Sequence, residues 1–240
     1  MTSASVDFQG SDYFEQPARL SDISSAKLPR QSMNLIMIIA TVMSVILAIT
    51  GLCLLQIHAK TPGARSQQLQ SWPPGSTIRP SETQPTLVVF FHPQCPCSLS
   101  TFTELQKLLP KIQTRVQIVA VLVVPPGLAD AWVNSRLSKL IAGTPNLLVI
   151  VDTDAQEAKL FGIRTSGHAI LFDRHRGLQF SGGLTASRGH EGDNIGCAAI
   201  DRLINDPVYA CWLRSPVETS IFGCPVTSCT KTNCSEKQCR

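Results

Sequence analysis

Two thiols separated by a single proline, Cys95-Pro96-Cys97, follow closely on the apolar run Leu87-Val88-Val89-Phe90-Phe91. A thiolate is both the nucleophile of disulfide exchange and a ligand for soft metal ions. A close pair of thiols therefore has three uses: redox exchange, metal binding or a structural bond. Position favours the first. The run before the pair is short and β-branched or aromatic, the pattern of a strand buried on both faces. After it, Leu99, Phe102, Leu105, Leu108 and Leu109 recur at near-helical spacing, and Pro110 is expected to stop the pattern. Both thiols then lie on the first turn of a helix, where unpaired N–H groups and the dipole favour a thiolate. Cys95 comes first, is expected to be the more exposed, and is the candidate nucleophile. Cys97 would resolve the mixed disulfide, although the residues alone also allow the reverse assignment.

The elements that must hold this pair follow from periodicity and punctuation. An apolar strand is expected over 116–124, ended by Pro125-Pro126-Gly127, then a helix over 128–141 broken by Gly143-Thr144-Pro145-Asn146. A third strand fits 147–151. Thr153-Asp154-Ala155-Gln156 has capping-box spacing and would start a short helix ending at Leu160. Strands at 169–172 and 177–181 form a hairpin around the turn 173–176, and Asn194 can cap a last helix over 195–204. Strands alternating with helices and closed by a hairpin imply an α/β sheet covered on both faces.

Much of the 240-residue chain lies outside that domain. Residues 33–55 carry no charge and are dominated by Ile, Leu, Met, Val and Ala; as a helix they would reach about 34 Å, enough for a bilayer. No convincing cleavage site follows, so 33–57 reads as an uncleaved signal anchor contacting lipid. Arg19, Lys27 and Arg30 precede it and Lys60 and Arg65 follow, a small bias that puts the N-terminus in the cytoplasm. Residues 1–32 read as a disordered cytoplasmic arm, and the Pro-, Ser-, Gln- and Thr-rich stretch 58–85 as a linker. The domain at 86–206 and a Cys-rich tail at 207–240 would then be periplasmic or extracellular. Nine cysteines fit such an oxidising compartment, and Cys53 inside the membrane helix reads as an inert small apolar residue. The net charge of +4 is spread along the chain without a basic stripe, so nucleic acid is not a partner.

This order of elements, with a dithiol after the first core strand, resembles the thioredoxin fold. The run Phe161-Gly162-Ile163-Arg164-Thr165-Ser166-Gly167-His168-Ala169-Ile170-Leu171-Phe172-Asp173 is similar to the thioredoxin stretch leading through a cis-proline into a strand. Closer still is the resemblance to RedB proteins of the thioredoxin-like superfamily. It is carried by His92-Pro93-Gln94-Cys95-Pro96-Cys97-Ser98, Thr165-Ser166-Gly167-His168, Ser181-Gly182-Gly183-Leu184-Thr185, Ser187-Arg188-Gly189-His190-Glu191-Gly192-Asp193-Asn194 and Phe222-Gly223-Cys224-Pro225. The resemblance covers about 86–225. It implies a thioredoxin-like domain on a single N-terminal transmembrane helix, a thiol-disulfide oxidoreductase acting on a protein thiol or disulfide. Two departures from thioredoxins stand out: the dithiol has one intervening residue, with Ser98 in the second cysteine's place, and Gly167 stands where the cis-proline would.

In such a fold the loop before His168 faces the dithiol. His168 is therefore a third catalytic candidate, able to stabilise a thiolate or move its proton, or else an exposed loop histidine. His92 could approach the thiols from the strand end or serve structure. His190 and Asp193 lie in a Gly-rich loop that could fold over the site, while Asp193 or Asn194 equally suits a helix cap. An alternative to redox chemistry, which needs no cofactor, is Cu(I) binding or copper delivery by Cys95, Cys97, His92, His168 and His190. Another is a non-catalytic interaction module. Cys224, Cys229, Cys234 and Cys239 recur every five residues, unlike zinc knuckles, and with Cys197 and Cys211 read as disulfide formers of undetermined pairing.

Overall fold

The computed structural model describes residues 30–64, 69–125 and 132–226. The chain divides into two compact units, Met1–Gly51 and Leu52–Arg240. Residues 1–29 of the arm and the last three cysteines lie outside the described residues, whereas 30–32, expected in the arm, are the start of the first helix. Helix α1 runs Arg30–Lys60. Its 28 residues Met33–Lys60 have a mean hydropathy of 2.6 and none of that apolar stretch is buried, so it is long and apolar enough to cross a membrane. Its hydroxyls are compatible with that solvent. Thr41, Ser44 and Thr50 each donate to the carbonyl four residues back at 2.8 Å, so these three O–H groups need no water.

In the second unit six strands form one sheet in the order β3-β2-β1-β4-β5-β6. Strand β1 (Thr86–Phe91) lies in the middle, parallel to β2 (Gln117–Val124) and antiparallel to β4 (His168–Phe172). Every residue of β1 is buried, as its uninterrupted apolar run requires. Strand β3 (Leu147–Thr153) extends the parallel side and is the edge. Strand β5 (Leu178–Gly183) pairs antiparallel with β4 and parallel with the two-residue β6 (Val217–Glu218). Helices cover both faces. Leu87, Val89 and Phe91 pack with α2 (Pro96–Ile112), α3 (Arg136–Ala142) and α5 (Ile195–Asn205). Val88 and Phe90 point the other way, to Phe161, Ile163 and α4 (Gln156–Leu160). Parallel strands joined by a crossover helix, then an antiparallel hairpin and a helix, make this a mixed α/β thioredoxin-like sheet.

Several local expectations change. Helix α2 does not stop at Pro110: it runs through it to Ile112, whose burial in the core outweighs one missing hydrogen bond in the last turn. The helix expected over 128–141 falls partly outside the described residues. Within them it is broken at 134–135, because Ser135 Oγ accepts from Ser138 N and starts α3 afresh. Thr153 does not cap α4. Asp152 does, accepting from Glu157 N and Ala158 N at 2.9 and 2.8 Å. Asn194 caps α5 as expected, its Oδ1 accepting from Cys197 N at 2.8 Å.

Residues on both sides of 86–206 also join the core. Trp72 packs edge-on against Phe161 and Phe172, and Ile78 is buried. On the other side come helix α6 (Pro207–Trp212), strand β6 and the buried side chains of Ile221, Phe222 and Val226. Neither stretch has an amphipathic period, so only contact with the finished sheet reveals them.

Candidate active site

Strand β1 ends at Phe91, and the chain turns at once: Cys95 N donates to His92 O and Ser98 N to Cys95 O, both at 3.0 Å. Cys95 is the N-cap of α2 in extended conformation (φ −86°, ψ 120°), and Pro96 fills the first helical position, where no N–H is needed. The cap position offers no side-chain oxygen, so the N-terminus of α2 is left facing a sulfur.

That sulfur is not the exposed one. Cys95 is 4% exposed whereas Cys97 is half-buried, the reverse of the expectation. The cause is a third thiol. Cys224, 129 residues further on, brings its Sγ to 2.6 Å from Cys95 Sγ. Its segment is fastened next to the loop before β4: Ser166 N donates to Cys224 O at 2.8 Å, Val226 N to Arg164 O at 3.0 Å, and Thr165 and Pro225 form a bridge. Arg188 Nη1 donates to Gly223 O. Sequence reasoning grouped Cys224 with the tail because of the five-residue spacing. The Phe222-Gly223-Cys224-Pro225 run was the signal that set it apart.

The trio polarises itself. Hydrogen bonds from the Cys224 thiol, then from the Cys97 thiol, hold Cys95 far below the ordinary thiol range, against the opposing effect of burial. At Cys97 the Cys224 thiol pulls downward and the Arg188 charge helps, but the Cys95 thiolate and burial leave it raised. Cys224 is raised by its bonds to Cys95 and Cys97 and by burial. One thiolate, Cys95, is thus held by two thiol donors.

Behind the trio, Ser98 and Ser166 share a short Oγ···Oγ hydrogen bond of 2.5 Å, and His92 N donates to Ser166 Oγ at 2.8 Å. Ser166, not His168, is the loop side chain that faces α2. Gly167 explains the absence of proline: its φ is +82°, which proline cannot adopt, and a Cβ there would sit 2.7 Å from Thr101 Oγ1. His168 instead shares the sheet face of its strand partner Phe90, opposite α2, and its Nε2 lies 2.8 Å from Ser181 Oγ. It does not reach the dithiol because alternation along β4 turns it away. His92 stays near the site, its ring edge-on to Trp132 at 4.5 Å. Burial lowers its pKa and the Cys95 charge pulls it partly back.

The 192–194 end of the Gly-rich loop is tied to α2, while Arg188 at its start reaches the Cys224 segment. Buried Glu104 accepts from Gly192 N at 2.8 Å and from Asn194 Nδ2 at 3.3 Å, while His190 and Asp193 are exposed. The copper set is therefore not assembled: His168 is on the other face and His190 in solvent. Among the described residues no group of three or more His, Cys, Asp or Glu side chains is arranged to hold a metal ion. Cys197 is half-buried, its pKa pushed up to about 11 by burial, and Cys211 is exposed. Beside Cys95 opens a cavity of about 260 Å³ lined by Pro93, Gln94, Pro96, Leu99, Arg136 and Leu137 among others. Its lining mixes the apolar Pro93, Pro96, Leu99 and Leu137 with the polar Gln94 and Ser135 and the cationic Arg136.

Burial pushes His168 down from 6.5 to about 3. Its folded pKa lies below its unfolded one, so the unfolded chain binds the extra proton between these values. Stability is expected to be flat above pH 6.5 with respect to this group. It falls by up to about 1.4 kcal/mol per pH unit as the pH drops toward 3. Urea melts of wild type and His168→Gln across that window check it: the variant should lose most of that slope.

No family model matches the chain, and no curated protein does. Solved structures do. A hypothetical protein from Sinorhizobium meliloti 1021 is similar over 69% of this chain and 98% of its own, at 17% identity and a TM-score of 0.48. The N-terminal domain of PilB from Neisseria gonorrhoeae is similar over 52% and 77%, at 22% identity and a TM-score of 0.35. A candidate thioredoxin from Neisseria meningitidis is similar over 65% and 93%, at 18% identity and a TM-score of 0.37. Thioredoxin-like proteins are thus among its structural neighbours, and likenesses this distant carry no activity or substrate to this chain.

Proposed function

We propose that this chain is a membrane-anchored thiol-disulfide oxidoreductase of RedB type, with Cys95 as the nucleophile and its domain outside the cytoplasm. The observation that carries the reading is the Cys95 sulfur at the start of α2, held as a thiolate by neighbouring thiols beside an open cavity. A thiolate with a thiol in contact is what exchange with a disulfide requires. The substrate is a disulfide or thiol in an exposed peptide segment. The small basic bias around α1 supports the sidedness.

One experiment reads both parts. Spheroplasts of an expressing bacterium are equilibrated in glutathione buffers of stepped potential and quenched with a membrane-impermeant maleimide. A reversible two-electron transition of the domain's thiols is expected. Labelling after strong reduction but without such a transition would favour a non-catalytic interaction module. Labelling only after the cells are permeabilised would reverse the orientation.

A further inference from the structure

We infer that Cys224, rather than Cys97, is the resolving thiol of Cys95, so that the working disulfide joins residues 129 positions apart. The inference rests on the oxidoreductase reading and assigns a partner within that site.

Three features of the geometry support it. First, the contact is direct, with the two sulfurs 2.6 Å apart. Second, the placement of Cys224 is built. Hydrogen bonds from Ser166 N to its own carbonyl and from Val226 N to Arg164 O hold it on either side, and Ile221, Phe222 and Val226 are buried around it. Gly223 is required there, since a Cβ would lie 1.9 Å from Ser166 O. Third, the cavity is lined by Cys95 and by neither other thiol. A substrate sulfur entering from the cavity meets one side of Cys95 while Cys224 lies off that cavity. Exchange needs the attacking, central and leaving sulfurs in line, so the substrate and the resolving thiol must approach Cys95 from different sides. Cys97 is two residues from Cys95 on the same turn. A bond between them closes a small ring and must be bent into a disulfide's dihedral at the expense of the N-cap peptide.

The chemistry balances with no further reactant but water. The Cys95 thiolate attacks one sulfur of the substrate disulfide; that S–S bond breaks, and one substrate thiolate leaves with the electron pair. With Cys95 now neutral, the charge that kept Cys224 protonated is gone. Cys224 gives its proton to the departed thiolate and attacks Cys95 Sγ. The Cys95–substrate bond breaks and the second substrate thiolate leaves. The substrate disulfide is reduced to one thiol and one thiolate, the latter taking a proton from water, and Cys95 and Cys224 are oxidised to one disulfide. Run backwards, the same steps oxidise a dithiol. Cys97 supports the Cys95 thiolate by hydrogen bonding and takes no covalent part.

The test uses the full chain, reduced in detergent, mixed with oxidised glutathione, quenched with acid and mapped by peptide mass. Cys224→Ser is expected to accumulate a glutathione adduct on Cys95 at least about tenfold above Cys97→Ser, and oxidised wild type to yield a Cys95–Cys224 linked peptide. Cys224→Ala, matched for folding by its unfolding transition, should behave as Cys224→Ser. The inference is overturned if Cys97→Ser accumulates as much adduct as Cys224→Ser or more, if only the double variant accumulates it, or if Cys95 is found linked to any other cysteine. In each of those outcomes the oxidoreductase reading stands. Neither adduct nor internal disulfide in any variant, wild type included, would overturn that reading itself.

Discussion

Cys95→Ser is expected to reduce disulfide exchange to the uncatalysed background. A serine hydroxyl at that N-cap remains protonated at neutral pH and cannot form a sulfur–sulfur bond, so neither Cys97 nor Cys224 has a mixed disulfide to resolve. The fold should survive. Cys95 is buried, but the replacement oxygen can accept from the same thiol donors, so unfolding should shift by no more than about 1–2 kcal/mol. The wild-type reaction carries its own pH signature. An ordinary thiol loses about tenfold in thiolate for each pH unit below its pKa. Cys95 is held far below that range by the Cys224 and Cys97 thiols. Its alkylation by iodoacetamide should therefore stay flat from pH 8 down to pH 5. A steep fall over that interval would mean that the thiolate is not pre-formed, and residual exchange by Cys95→Ser would move the nucleophile elsewhere.

Gly223→Ala should detach the third thiol without touching it. The added Cβ would lie 1.9 Å from Ser166 O and 2.9 Å from its carbonyl carbon, backbone atoms next to the end of β1 and the start of β4. Backbone cannot yield as a side-chain tip can, so the 221–226 segment must move. That loosens the bond from Ser166 N to Cys224 O and the burial of Phe222, at a cost of about 1–3 kcal/mol. The larger effect is chemical. With Cys224 withdrawn, Cys95 loses the foremost of the donors that hold it deprotonated. The pH midpoint of its alkylation should rise by at least about one unit, and the Cys95–Cys224 linked peptide should disappear. Gly51→Ala, where a Cβ meets nothing within 4 Å, is the neutral comparison. An unchanged alkylation profile in Gly223→Ala would show that Cys224 does not set the charge of Cys95.

The residues determined by themselves whatever depends on local pattern. The all-apolar 87–91 run reads as a strand covered on both faces, and it lies at the centre of the sheet. Leu99, Phe102, Leu105 and Leu108 mark the helix that carries Cys97, and Asn194 marks the start of the last long helix. The uncharged stretch after Met33 announces a helix long enough for a bilayer. Each of these rests on a period, a cap or a run readable within a dozen residues.

What only the tertiary structure decided involves residues far apart in the chain. Whether His168 meets the thiols depends on which face of β4 it takes, and strand pairing with Phe90 turns it away from α2. Whether Cys95 is open or covered depends on a segment 129 residues distant. That segment has no helical or alternating pattern; its place comes from backbone hydrogen bonds to a loop formed only when β1 and β4 pair. Register and face are properties of two strands together, and a contact between loops exists only after the sheet has closed. For that reason the dithiol was legible from Cys95-Pro96-Cys97 alone, while the third thiol that charges it was not.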